Sequence, residues 1–202
     1  MKTAIYGGTF NPPHLGHTHV IEEVIAAIRP DRFLVIPAAI PPHKEIAENS
    51  PSFEHRMEMC RLAFSGIPGV EISDMESRRE GKSYTVDTLR QLKEEYGEDT
   101  DLYLVIGTDQ LLALRTWYCF RDLLRLCTPV VVPRDSEHTE ELRREANSLA
   151  TEFNASLILL DCAPLAVSST QVRSDPEGSS FLCPAVRDYI RNNGFYRTDE
   201  TR

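Results

Sequence analysis

The sequence predicts an α/β fold in which helices cover both faces of a parallel sheet. Strand-length segments alternate with helix-length segments along the chain, and the strand segments are apolar on both faces. Such strands are buried on both sides, which is typical of parallel sheets. A chain of 202 residues is expected to fold as one domain, 1–202, or as one domain with a small appendage.

Six apolar segments of strand length predict the strands of this sheet. They span residues 2–6, 32–38, 70–74, 101–107, 127–133 and 155–161. A helix is predicted after the first strand because one apolar face repeats at helical spacing. That face is formed by Ile21, Val24, Ile25 and Ile28. Further helices are predicted near residues 53–64, 85–96 and 136–153, with a short helix ending at Gly194.

Charge and composition exclude some classes of partner. The formal net charge is −9, which argues against a nucleic-acid surface because such a surface needs a basic face. Small anionic substrates remain compatible, since a few side chains, helix N-termini and metal ions can form a local positive pocket. No apolar run reaches the length of a membrane span, and the N-terminus lacks the features of a signal peptide. We therefore expect a cytoplasmic protein with no membrane partner and with five reduced cysteines.

The segment GGTFNPPHLGHTH, residues 7–19, follows the first predicted strand directly. Its two glycines let backbone N–H groups approach a ligand and permit a positive φ. His14 and His17 lie three residues apart at the entry to a helix, where partial positive charge and free N–H donors gather. This combination favours phosphate binding. A metal site that includes His19, or a purely structural role, stays open at this point.

A second motif, VSSTQVR at residues 167–173, lies far along the chain. Ser168 and Ser169 are natural helix N-caps, and Arg173 follows Ser169 by four residues and returns to the same helix face. The dinucleotide fingerprint G-x-G-x-x-G and the Walker A loop G-x-x-x-x-G-K-[ST] are both absent. Phosphate binding of another type is therefore expected.

Together these two motifs resemble the T/H-x-G-H and S-S-T-x-x-R signatures of the nucleotidylyltransferase superfamily. Within it, the chain is similar to the bacterial nicotinate-nucleotide adenylyltransferases over nearly its whole length. The segments that carry this resemblance include GGTFNPPHLGH, PAAIPPHK, SYTVDTL, LVIGTDQL, TWYCF, VVVPR and VSSTQVR. The resemblance implies a Rossmann-like, doubly wound parallel sheet with a short C-terminal helical part at about residues 168–202.

The resemblance also implies a reaction. ATP and nicotinate mononucleotide would give deamido-NAD and pyrophosphate, a step in NAD biosynthesis. The mononucleotide phosphate would attack the α-phosphorus of ATP directly, so that catalysis consists mostly of positioning and charge stabilisation. Mg²⁺ would bridge the phosphates, held by water and substrate oxygens and not by a protein metal site. The implied partners are these two small molecules, and a homo-oligomer is compatible with the sequence.

The residues that the resemblance implies for ATP fall in four segments. They are Gly7, Gly8, Thr9, Phe10, His14, His17, Gly107, Asp109, Ser168, Ser169, Thr170 and Arg173. His14, His17 and Arg173 are the implied catalytic residues, with His17 donating to the α-phosphate oxygens. Ser169, Thr170 and Arg173 would hold the leaving pyrophosphate. Asp109 would accept a ribose hydroxyl, with capping of the next helix as the alternative.

The residues implied for nicotinate mononucleotide are Lys44, Thr85, Trp117, Tyr118 and Arg134. Trp117 would lie on the pyridine ring, with ordinary core packing as the alternative. Backbone N–H groups of Thr85 and Tyr118 would meet the nicotinate carboxylate and so favour the acid over the amide. Lys44 and Arg134 would bind the mononucleotide phosphate.

Other interpretations stay open. One is an adenylyltransferase of the same fold that acts on nicotinamide mononucleotide or phosphopantetheine. Another is a non-catalytic nucleotide sensor, and a third is a metal-dependent hydrolase that uses His14, His17 and His19. His55 and Arg56 are interpreted as structural, and the contacts of the loop at 76–80 are left open.

Overall fold

The computed structural model describes residues 1–41, 50–133, 139–175 and 179–196. Within these ranges the chain forms six strands. They are β1 (Lys2–Gly8), β2 (Arg32–Pro37), β3 (Val70–Ile72), β4 (Asp101–Gly107), β5 (Thr128–Val132) and β6 (Ile158–Leu159). All the strand pairs are parallel, and the strand order is β3-β2-β1-β4-β5-β6. The predicted doubly wound sheet is confirmed.

The helices of the described part connect these strands. They are α1 (Leu15–Ile28), α2 (Phe53–Phe64), α3 (Thr85–Tyr96), α4 (Thr108–Leu112), α5 (Phe120–Leu126), α6 (Thr139–Phe153), α7 (Ser169–Ser174) and α8 (Pro184–Asn193). Short 3-10 turns span Met75–Arg78 and Leu114–Thr116. None of the described helices is long and apolar enough to cross a membrane.

Alternate residues of the strands fill two separate cores, as the two-residue period of a strand requires. On one face, Ile5 and Leu104 belong to a cluster with Leu89 and Leu92 of α3. On the other face, the neighbouring strand residues pack with α1 and α2. That second cluster includes Ala4, Tyr6, Phe33, Val35 and Val105 with Ile21, Val24, Cys60 and Phe64. Burial on both faces explains why the strands are apolar throughout.

The C-terminal helices form a third, smaller core against α2. Met59 of α2 is buried with Val172 of α7 and with Val186 and Ile190 of α8. Gly194 ends α8 in the left-handed conformation, with φ of 68°, as the sequence predicts. The assignment of residues 1–202 to a single domain stays a prediction.

Several predicted boundaries are wrong in detail. β1 continues through both glycines to Gly8, whereas the predicted strand stops at residue 6. β6 covers only Ile158–Leu159 of the predicted 155–161, because it pairs with β5 at two positions at the sheet edge. Helices α4 and α5 were not predicted, since five and seven residues are too few to show a helical repeat.

Candidate active site

The sheet order reverses between β1 and β4, and a cleft opens beyond the carboxyl ends of these two strands. Ligands bind at such a position in open α/β sheets. The cavity has a volume of about 520 Å³, within the range of small-molecule sites. Most of the predicted site residues line it. They are Gly7, Gly8, Thr9, Phe10, His14, His17, Thr85, Trp117, Tyr118, Ser168, Ser169, Thr170 and Arg173.

One end of the cleft, called here the histidine end, consists of His14, His17 and helix α7. His14 is the N-cap of α1, one residue before the helix begins, and its side chain is buried at 6% exposure. The two imidazole rings stack with centroids 3.7 Å apart. The two rings therefore lie side by side at the entry to α1.

The tautomer of His17 follows from its contact with the helix cap. The backbone N–H of His14 donates to Nδ1 of His17 at 3.1 Å. In the neutral ring, an accepting Nδ1 leaves the proton on Nε2. The N–H donor of His17 is therefore Nε2, on the side of the ring away from the helix cap. His17 lines the cleft.

Gly16 permits the close approach of the two phosphate motifs of the sequence. A Cβ atom at this position would lie 2.6 Å from Cγ1 of Val167 and 3.0 Å from Nδ1 of His14. Real Cβ atoms do not approach other heavy atoms so closely, so any larger residue would displace Val167 or the His14 ring. The glycine of the HLGH segment is thus explained by packing.

Of the two roles predicted for the glycines of β1, the positive φ is wrong, and the close approach of their backbone to a ligand stays a prediction. Neither adopts a positive φ; the positive φ of this loop is at Phe10, at 47°. A Cβ on Gly8 would lie 3.1 Å from the Phe10 ring, whereas a Cβ on Gly7 would meet no atom within 4 Å among the described residues beyond its chain neighbours. Gly7 therefore leaves open space in the cleft itself.

Helix α7 is fastened to the loop that follows β1. Ser168 is its N-cap and accepts a hydrogen bond from the backbone N–H of Gln171 at 3.2 Å. The Ser169 hydroxyl donates to the carbonyl of Pro12 at 2.9 Å, and Nη1 of Arg173 donates to the carbonyl of Asn11 at 2.7 Å. The two motifs, about 160 residues apart in sequence, form one wall.

Two residues that the sequence did not assign to the site also hold this loop. Asn11 accepts a hydrogen bond from the Tyr196 hydroxyl through Oδ1 and donates to Ser50 at 3.2 Å through Nδ2. Arg56 is 1% exposed and donates to the carbonyls of Thr9 and Ala38, both at 2.8 Å. Burial lowers the pKa of Arg56, although its hydrogen bonds are those of a guanidinium.

The other end of the cleft, called here the tryptophan end, consists of Thr85, Trp117 and Tyr118. Thr85 is the first residue of α3, so the helix leaves its backbone N–H without an intrahelical partner. Trp117 is partly buried and packs against the core on the α3 face, while the Tyr118 side chain is 54% exposed. The ring centroids of Tyr118 and Tyr84 lie 4.6 Å apart.

Two predicted site residues do not line the cavity, and two more cannot be placed because they fall outside the described ranges. Gly107 is buried at the end of β4, and Asp109 is exposed on the first turn of α4; neither lines the cavity. Gly107, and not Asp109, is the N-cap of α4, so the capping alternative for Asp109 is wrong. Lys44 and Arg134 lie outside the described residues.

Two further histidines among the described residues, His19 and His55, have partners of their own. His19 lies outside the cavity lining, and its Nε2 is 2.7 Å from the carbonyl of Ala163. Nδ1 of His55 is 2.8 Å from the Tyr189 hydroxyl, which joins α2 to α8. Within the described ranges, no group of three metal-ligating side chains comes together.

Glu76 and Ser83 line the cleft as well, and the sequence did not identify them. Glu76 lies in a charged run, where a carboxylate is normally solvated, so nothing in the pattern marks it as buried. Asn11 lies within the first motif, but its contacts join segments that are distant in sequence. Such partners become visible only in the folded chain.

Comparison with known proteins places this geometry among nucleotide-transferring enzymes. The model of the Cytidylyltransferase-like family matches residues 5–175. A "Probable nicotinate-nucleotide adenylyltransferase" of Fusobacterium nucleatum is 38% identical, over 95% of each chain. A protein of the same name from Geobacter sulfurreducens is also 38% identical, over 98% of this chain and all of the other.

Among solved structures, the nicotinic acid mononucleotide adenylyltransferase of Plasmodium falciparum, complexed with NaAD, superposes with a TM-score of 0.79. The alignment covers 96% of this chain and 97% of that chain, at 19% identity. At this level of identity the likeness concerns the fold. It supports the α/β fold described above.

Proposed function

The chain belongs to the cytidylyltransferase-like family and to the nicotinate-nucleotide adenylyltransferases within it, and on this premise we propose how its cleft works. The protein transfers the adenylyl group of ATP to nicotinate mononucleotide, which gives deamido-NAD and pyrophosphate in NAD biosynthesis. Both substrates are small anions. An overall acidic chain therefore needs a local set of donors, and the cleft supplies it.

The chemistry requires no covalent intermediate with the protein. An oxygen of the mononucleotide phosphate forms a bond to the α-phosphorus of ATP, while the bond from that phosphorus to the β-phosphate oxygen breaks. Pyrophosphate leaves from the side opposite the attack. The protein contributes by aligning the two phosphates and by stabilising the negative charge that develops between them.

The observation that carries this proposal is the hydrogen bond between the His14 amide and Nδ1 of His17. It fixes the His17 ring and leaves the proton on Nε2, so that the donor is oriented before any substrate binds. We assign this donor to the α-phosphate oxygens. His14, stacked on the same ring, binds the adjoining part of the triphosphate.

Helix α7 supplies the site for the leaving pyrophosphate. Arg173, Ser169 and Thr170 line the same end of the cleft, and hydrogen bonds to the loop after β1 hold Arg173 and Ser169 in place. A guanidinium is suited to the oxygens of a phosphate chain because its donors lie in one plane. The role of Gly107 and Asp109 in binding adenosine stays a prediction.

The nicotinate ring is assigned to the tryptophan end. Trp117 offers an aromatic face, and the N–H of Thr85 opens a helix, where a carboxylate is favoured by free donors and by the helix dipole. A backbone N–H donor interacts more strongly with a carboxylate than with a carboxamide. The amide of Tyr118 is the second candidate donor.

We propose that Mg²⁺ accompanies the triphosphate. The described lining residues contain one carboxylate, Glu76, while the histidine end offers imidazoles, hydroxyls and a guanidinium. This set suits the phosphates themselves, so the metal would be held by phosphate oxygens and water, with His14, His17 and Arg173 holding the phosphates. When bound, the metal neutralises part of the negative charge on the phosphates. A cytoplasmic location and a homo-oligomeric state remain predictions.

The direct test is pyrophosphate release from ATP and Mg²⁺ with three acceptors in parallel: nicotinate mononucleotide, nicotinamide mononucleotide and phosphopantetheine. The proposal predicts strong preference for the nicotinate compound. Preference for the amide would contradict the roles of Thr85 and Tyr118 but keep the phosphate assignments. Release with none of the acceptors would favour the nucleotide-sensor interpretation.

A further inference from the structure

A buried carboxyl group in the cleft wall takes no part in the reaction described above. Glu76 lies in the 3-10 turn Met75–Arg78, is 8% exposed and lines the cavity together with Thr85 and Ser83. A buried carboxyl normally needs hydrogen-bond partners that compensate for its lost hydration. The partners of Glu76 lie in helix α3 or close to its first residue.

The first partner is Thr88, in the second turn of α3. Its hydroxyl donates to Oε1 of Glu76 at 2.7 Å, and Nη2 of Arg79 donates to the same hydroxyl oxygen at 2.7 Å. The Thr88 hydroxyl thus accepts a hydrogen bond from Arg79 and donates its own proton to Glu76. Arg79 itself lies 4.0 Å from Oε1 of Glu76.

The second partner is Ser83, which precedes α3. The backbone N–H of Ile40 donates to the Ser83 hydroxyl oxygen at 3.2 Å, and Ser83 lines the cavity together with Glu76, whose pKa it lowers. The backbone N–H of Ser83 in turn donates to the carbonyl of Ile40 at 2.9 Å. Glu76 is thus attached to α3 by the Thr88 hydroxyl, and Ser83 supports the segment just before the helix.

The protonation of Glu76 depends on opposing effects. Burial raises its pKa, whereas the hydrogen bonds from Thr88 and Ser83 and the charge of Arg79 lower it. In either form the group presents an acceptor oxygen to the Thr88 hydroxyl. In its ionised form Glu76 would repel a nicotinate carboxylate in direct contact, because like charges repel. An effect of ionised Glu76 that favours the acid substrate therefore passes through α3.

We propose that Glu76 is a positioning residue that sets the preference for the acid over the amide, by holding the first turn of α3 through Ser83 and Thr88. The N–H of Thr85 lies between these two attachment points and is the donor assigned to the nicotinate carboxylate. Hydrogen-bond strength falls steeply with misalignment. A loosened turn would therefore weaken the contact of the Thr85 N–H with the nicotinate carboxylate more than its contact with a carboxamide. This inference rests on the proposed function.

The test measures kcat/KM for nicotinate mononucleotide and for nicotinamide mononucleotide in Glu76→Gln, with Glu80→Gln as a matched control. Glu80 undergoes the same chemical change four residues away, but its side chain is exposed and lies outside the cavity lining. We expect the acid-to-amide ratio to fall about tenfold in Glu76→Gln, mainly through KM for the acid, and to stay unchanged in Glu80→Gln. The KM for ATP should not change in either variant.

A second variant keeps the test informative if Glu76→Gln folds poorly. Thr88→Val preserves the shape of the side chain and removes the hydroxyl that donates to Glu76, so the ratio should fall in the same direction. A role in stability alone would lower the melting temperature and leave the ratio unchanged in both variants, which would overturn the inference. If the wild-type protein itself shows no acid preference, the proposed function fails and not only the role of Glu76.

Discussion

The two ends of the cleft are built on different principles. At the histidine end, side chains line the cleft and are held by hydrogen bonds: the His14 amide to His17, and Ser169 and Arg173 of α7 to the loop after β1. At the tryptophan end, the assigned donors are backbone amides, and Tyr118 is 54% exposed. In the proposed mechanism, the first arrangement stabilises charge in the transition state. The second recognises a substrate group through backbone donors, which do not depend on fixed side chains.

This difference predicts separate kinetic effects. Substitutions at the histidine end should lower kcat, because those donors meet charge that develops only during the reaction. Substitutions at the tryptophan end should act mainly on the KM of one substrate.

The largest expected effect is the loss of the His17 donor. His17→Ala should lower kcat by about two to three orders of magnitude, as removal of one oxyanion donor does. His17→Asn is the matched variant, because its Oδ1 can still accept the His14 amide in place of Nδ1 while no donor remains at the position of Nε2. It should be as inactive as the alanine variant but melt close to the wild type. Normal kcat in either variant would contradict the assigned role.

Next in size is the effect of a methyl group between the two motifs. Gly16→Ala places a Cβ 2.6 Å from Cγ1 of Val167 and 3.0 Å from the His14 ring, so kcat/KM should fall about 10- to 100-fold. Removing the Val167 methyl groups relieves the shorter of these two contacts. The double variant Gly16→Ala with Val167→Ala should therefore recover part of the activity, whereas additive losses would show that the two positions are not coupled.

A smaller effect is expected at the tryptophan end. Trp117→Ala should raise the KM for nicotinate mononucleotide about tenfold, because loss of one stacking contact is worth about 1–3 kcal/mol. The KM for ATP should change much less. Equal changes for both substrates would indicate that Trp117 serves as a core residue, which its packing against the α3 core also permits.

The smallest effect concerns the support of the turn before Trp117. Arg115 binds Glu152 of α6, and these hydrogen bonds, with one from Ser148, lower the pKa of Glu152 to about 2. Because the folded pKa lies below the unfolded value, this pair stabilises the fold above about pH 4.5 and loses its effect as the pH falls toward 2. Glu152→Gln should lower the melting temperature at neutral pH by about 2 °C or less, since both groups are solvent-accessible.

Thermal melts at several pH values test this last expectation, with Glu22→Gln, an exposed acid on α1, as the control. The difference between Glu152→Gln and the wild type should shrink as the pH falls below 4.5. A difference that is independent of pH would show that the charge of Glu152 is not involved.

The sequence predicted the fold and most of the histidine end because the relevant residues are contiguous. A strand, a loop and a helix N-terminus carry His14 and His17 within one segment, and Ser168 and Arg173 lie within another. The strands likewise follow from short continuous runs of apolar residues. These features are encoded over short distances, where spacing and residue type are sufficient.

The contacts that unite the segments could not be predicted in the same way. Nothing in the sequence places Val167 against Gly16, or the Tyr196 hydroxyl on Asn11, because these contacts depend on how distant elements pack. Glu76 was missed because it lies among charged residues that are exposed. The capping alternative for Asp109 was wrong because the helix begins at Thr108, so that Gly107 is its N-cap.

A crystal structure of the protein with bound deamido-NAD tests the central claim most directly, since one molecule contains both the phosphates and the nicotinate carboxylate. We predict that the carboxylate accepts the N–H of Thr85 beside the Trp117 ring, and that the phosphate oxygens lie within hydrogen-bond distance of Nε2 of His17. A carboxylate bound away from the first turn of α3, or phosphates that do not contact His17, would contradict the division of the cleft into these two ends.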